Sequence, residues 1–157
     1  MLNMTNKEQI VELSWNVNDL LSQYVAIHDD VFKTSIRHAI PIPGIFKPID
    51  FGAHLEKIEN INPKLENCDN KIKSFAENVN GQEREYIDLL SKYTKALIET
   101  VNRLKVVVSA LYDKSQSFVN SNYDWKNYKS DLAKYNQSVR DYMMIGGRLN
   151  ELFEKVK

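Results

Sequence analysis

Cysteine, glycine and proline are all scarce in this chain, and each shortage excludes something. Cys68 is the single cysteine, so no internal disulfide can staple the fold. It falls on an apolar helical stripe and reads as a small buried hydrophobe, not a reactive thiol. With 5 Gly and 4 Pro in 157 residues, a loop-rich or disordered chain is excluded. Net charge is absent too, 21 basic residues cancelling 21 acidic ones. Residues 1–80 carry 8 basic and 11 acidic side chains, and residues 81–157 carry 13 and 10. That asymmetry is too weak for a nucleic-acid footprint, and no nucleic-acid partner is expected.

Long apolar runs are missing as well. The longest uncharged apolar stretches, Ala39–Phe46 and Val106–Tyr112, fall far short of the ~20 residues that a membrane-spanning helix needs. Lys7, Glu8 and Glu12 interrupt the segment where a secretory leader would be apolar, so a cytoplasmic protein is expected. The asparagine- and lysine-rich composition suggests an AT-rich bacterial or phage genome.

What the chain does contain is apolar residues at steps of three and four. One set runs Ile87, Leu90, Thr94, Leu97, Val101, Leu104, Val108, Leu111, Ser115, Phe118. Another runs Trp125, Tyr128, Leu132, Tyr135, Val139, Tyr142, Gly146, Leu149, Phe153, Val156. Such spacing draws one narrow stripe along a helix, and a stripe that long must be buried against other helices. Ile10, Leu13, Val17, Leu20, Tyr24, Ile27 and Val31 form a third stripe, opened by a Thr5–Glu8 capping box. Phe51, Leu55, Ile58, Ile61, Leu65, Cys68, Ile72, Phe75 and Val79 form a fourth.

These stripes predict helices over 6–37, 51–79, 82–120 and 123–156 within a single domain spanning 1–157. Asn62-Pro63 predicts a kink or short break near Asn60–Pro63, and Asn80-Gly81 predicts a helix stop. Short second and third connections make neighbours antiparallel. The expected fold is all-α, an elongated up-down-up-down antiparallel four-helix bundle. Its helix-three stripe would also suit a coiled coil.

Residues that carry chemistry do not converge. The di-iron pattern of helical bundles needs Glu-x-x-His, whereas Val25, Ser35 and Phe51 stand three before His28, His38 and His54. No metal and no cofactor are expected. No nucleophile elbow, Cys–His signature or glycine-rich phosphate loop is present. Gly146-Gly147 lies inside a helix and reads as close packing or a bend. No catalytic residue is assigned, and the expectation is a non-enzymatic protein.

Two features stand out. Tyr128, Tyr135 and Tyr142 recur every seven residues beside Trp125. They read as core rings with hydroxyls at the wet rim, or else as the lining of a ligand site in the bundle core. The second is the Pro-rich connection holding Ile42, Ile45, Phe46 and Ile49, where Pro41, Pro43 and Pro48 forbid a regular helix. It reads as a plug over the bundle end or as an interaction loop. The functional expectation is therefore protein–protein interaction or scaffolding, through a protein partner or self-association. The first alternative is a membrane-associated or membrane-perturbing bundle using the 40–51 loop. The second is a small-molecule binder with a site in the core.

Overall fold

The computed structural model describes residues 3–38, 49–116 and 125–157. Four helices follow in order, α1 (Asn6–His38), α2 (Phe51–Ala76), α3 (Gly81–Gln116) and α4 (Trp125–Val156). No strand occurs among the described residues. The helices form the expected four-helix bundle.

Local chemistry sets the helix ends. Thr5 N–H donates to Glu8 Oε2 at 2.7 Å while Glu8 N–H donates to Thr5 Oγ1 at 3.2 Å, closing the capping box of α1. Those bonds hold the exposed Glu8 carboxyl below its ordinary value. Asp50 caps α2, its Oδ1 accepting from Ala53 N–H at 2.9 Å. Gly81 has φ +64, a left-handed conformation that glycine adopts without strain, and it opens α3 as its first residue.

Two expectations about α2 need correction. It ends at Ala76 and not at 79, because Asn78 N–H turns back to the Phe75 carbonyl and closes the helix early. Val79 is nevertheless buried, so the stripe continues three residues past the end of the helix. There is also no break at Pro63, which lies inside one continuous helix. Pro63 is exposed while Ile61 and Leu65 on either side are buried. The missing amide bond therefore falls on the wet face, and apolar packing holds the helix together across it.

The core is built around α3. Ile87, Leu90, Thr94, Leu97, Val101, Leu104 and Val108 are each no more than 1% exposed. The stripe fades to half-buried at Leu111 and exposed at Ser115, and Phe118 lies outside the described residues. Thr94 sits in this apolar file because its hydroxyl donates to the Leu90 carbonyl at 2.8 Å. α3 packs along most of α2 and α4 and more sparingly against α1. The α1 and α4 backbones stay farther apart, and long side chains span the gap between them.

Candidate functional site

That wider seam holds the most unusual chemistry of the molecule. Tyr24 of α1 and Tyr135 of α4 are both essentially buried, with their hydroxyl oxygens 2.5 Å apart. His28 Nδ1, one turn after Tyr24, lies 2.5 Å from the same Tyr135 oxygen. The Tyr135 hydroxyl is therefore within hydrogen-bond distance of both Tyr24 and His28, and its one proton and its lone pairs let it donate to one and accept from the other. Tyr142 meets both Tyr24 and Tyr93 edge-on, each at a centroid distance of 6.0 Å. Phe32 stacks on Tyr135 at 5.6 Å.

Tyr135 and Tyr142 thus pack in the core as the sequence suggests and Tyr128 is half-buried beside it, but the Tyr135 hydroxyl is not at a wet rim. It is the junction of an internal network across two helices. Burial pushes the phenol pKa values of Tyr24, Tyr93 and Tyr135 above 10.0, because a phenolate there would lose its water. The structure thus keeps these rings as neutral spacers, with Tyr24 and Tyr135 hydrogen-bonded to each other.

Farther along the seam the rings give way to a cleft of about 310 Å³ between α1, α3 and α4. Trp15, Asn18 and Leu21 line it from α1, Tyr86 and Tyr93 from α3, and Gly146, Leu149, Asn150 and Phe153 from α4. Ser14 and Tyr86 link their hydroxyls at 2.7 Å within this lining. Gly146 explains part of the geometry. A Cβ there would stand 3.1 Å from Tyr93 Cε2, whereas a Cβ on Gly147 would meet nothing within 4 Å. The close-packing reading of the glycine pair therefore holds for Gly146 alone.

A second cleft, of about 550 Å³, lies between α1 and α2 and is lined by Gln23, Ala26, Ile27, Asp30, His54, Lys57 and Ile61. His54 is buried, and its Nε2 stands 2.5 Å from Asp30 Oδ2. Asp50 stands one helical turn before His54, but the acidic partner of His54 comes from the neighbouring helix. His54 Nδ1 is buried with no hydrogen-bond partner among the described residues. A carboxylate-oriented imidazole resembles half of an acid–base device, yet among the described residues no serine, threonine or cysteine lines this cleft. Between α2 and α3, the buried Asp69 carboxylate accepts from Ser91 Oγ at 2.7 Å and pairs with Lys73 Nζ at 2.8 Å. Those two contacts satisfy it and read as structural.

No group of three histidine, cysteine or carboxylate side chains that could hold a metal occurs among the described residues. No helix among them is long and apolar enough to cross a membrane. Of the four interaction residues chosen from sequence, Ile42, Ile45 and Phe46 lie outside the described residues. Ile49 is half-buried, next to the Asp50 cap.

The residues that sequence reasoning missed are on α1 and α4. Trp15 is 64% exposed, Met143 62% and Met144 74%, the three most exposed large apolar side chains among those described. None belongs to a stripe, and that position off the stripe was the available clue. Comparison with protein-family models, curated proteins and solved structures finds no match to this chain.

Proposed function

We propose that this chain is a non-enzymatic helical bundle that works by binding protein, and that the α1–α4 side is its contact surface. The exposure of Trp15, Met143 and Met144 carries the reading. Aromatic residues and methionine are enriched at protein interfaces, and leaving three such side chains wet on two adjacent helices is costly for a surface with no partner. The sparse backbone contact between α1 and α4 supports it further, since a loosely closed seam can adapt to an incoming helix or loop.

Site-specific photocrosslinking in cells that express the protein tests the proposal. A crosslinker at Trp15 gives a discrete protein adduct, or a dimer if the partner is a second copy. The double change Met143→Ser, Met144→Ser abolishes the adduct without lowering the melting temperature. A crosslinker at the exposed Lys71 of α2 gives none. Equal labelling from both positions, or capture of lipid in place of protein at Trp15, overturns the reading.

A further inference from the structure

The cleft between α1, α3 and α4 has a polar floor whose hydrogen-bonding capacity can be counted. Ser14 Oγ lies 2.7 Å from the Ile10 carbonyl oxygen, which can only accept, so the single serine proton goes there. Ser14 Oγ also lies 2.7 Å from Tyr86 Oη, and that bond must therefore be donated by the tyrosine. Both hydroxyl protons are then committed. What the pair still offers is lone pairs. Tyr86 is 2% exposed, and burial raises its phenol pKa, so this oxygen stays a neutral acceptor.

Around the floor the walls are Trp15, Val17, Leu21, Leu90, Tyr93, Leu149 and Phe153, and Gly146 keeps a side chain out of the space. Asn18 and Asn150 complete the lining, and among the described residues no charged side chain belongs to it. A charged ligand would give up its hydration with nothing to replace it. At about 310 Å³ the cleft is at the lower end of the ~300–1,000 Å³ range of small-molecule pockets.

We propose that this cleft is a binding site for a small, uncharged, mainly apolar ring compound that donates one hydrogen bond to the Tyr86–Ser14 hydroxyl pair. The ring lies among the aromatic walls, and its N–H or O–H meets an oxygen that has only lone pairs left. A ring without a donor leaves that buried acceptor unpaired and binds more weakly. The site stands whether or not the outer α1–α4 surface meets a protein.

Indole and 1-methylindole are the probes, because they share a ring and differ in the donor. Titrations of ¹⁵N-labelled protein should shift the amides of Ser14, Tyr86 and Gly146 first, with indole binding roughly tenfold tighter than 1-methylindole. Ser14→Ala with Tyr86→Phe should bring that ratio to about one by weakening indole alone. Asn18→Trp, at an exposed position on the rim, should weaken both probes by filling the mouth, and it decides the matter if the double variant fails to fold. Three results each overturn the proposal: equal affinity of the two probes for the unaltered protein, shifts centred away from the cleft, or equally tight binding of indole-3-acetate. No binding of indole at millimolar concentration overturns it as well.

Discussion

Along the α2–α3 seam, aliphatic side chains lie between closely spaced backbones, whereas along the α1–α4 seam aromatic rings and hydroxyls bridge a wider gap. Both seams come from the same three–four sequence rhythm. The difference lies in what occupies the rhythm. Ile, Leu and Val on α2 and α3 leave few polar atoms to satisfy, and the buried Asp69 is satisfied by Ser91 and Lys73, so the seam closes. Tyr24, Tyr135 and Tyr142 need more space and partners for their oxygens, so the helices stand apart and leave a cleft beyond these three tyrosines. A bundle can thus be given one tight side and one adaptable side by side-chain choice alone.

The largest expected effect lies on the tight side. Leu104→Ala removes a fully buried side chain from the middle of α3 and should cost ~2–5 kcal/mol in chemical denaturation. A loss below about 1 kcal/mol would mean that the close seam relaxes as readily as the open one.

Alkaline pH should attack the aromatic side specifically. Tyr24, Tyr93 and Tyr135 have folded-state pKa values above 10.0, while in the unfolded chain they titrate near the ordinary phenol value. The unfolded state therefore loses protons first. The stabilising contribution is complete below pH ~10 and falls as pH rises from there toward the folded values, by roughly 1 kcal/mol per pH unit for each ring. Melting followed from pH 8 to 11 should show the decline setting in near pH 10. Phenolate absorbance should appear together with unfolding, and its appearance in the folded protein near pH 10 would show that the rings are wet.

Tyr135→Phe isolates the network from the rings. It keeps the stack on Phe32 and deletes the oxygen shared by Tyr24 and His28, which should cost ~1–3 kcal/mol. No change in denaturation midpoint would assign the seam's stability to ring packing alone.

The smallest effect gives the finest comparison. Gly147→Ala gains helix propensity in open space and should stabilise by up to ~1 kcal/mol. Gly146→Ala gains the same propensity but must displace the Tyr93 ring, so it should be less favourable than its neighbour. Identical melting temperatures for the two variants would mean that Tyr93 yields freely.

The tight side was far more legible in the sequence than the open one. Leu97, Val101 and Leu104 announce themselves through spacing, and Thr5, Glu8 and Asp50 mark helix starts by hydrogen bonds made within one turn. Such information is local. The Tyr24–Tyr135 contact joins residues 111 apart, and spacing within either helix says only that each ring points inward. The same limit hid His54–Asp30, whose partners lie on different helices. The cleft was less legible still, because it depends on the distance between two backbones. Apolar density drew attention to Ile42, Ile45, Phe46 and Ile49, while Trp15 was overlooked because a single aromatic off the stripe breaks no pattern.

Native-state hydrogen exchange tests most directly whether the α1–α4 seam is the molecule's adaptable side. Amides of α1 around Leu13–Leu21, which flank the cleft, should exchange through a partial opening at clearly lower free energy than those around Leu97–Leu104 of α3, which should open only on global unfolding. If both segments exchange at the same free energy, with the same denaturant dependence, the bundle opens as one unit and the contrast between its two sides is wrong.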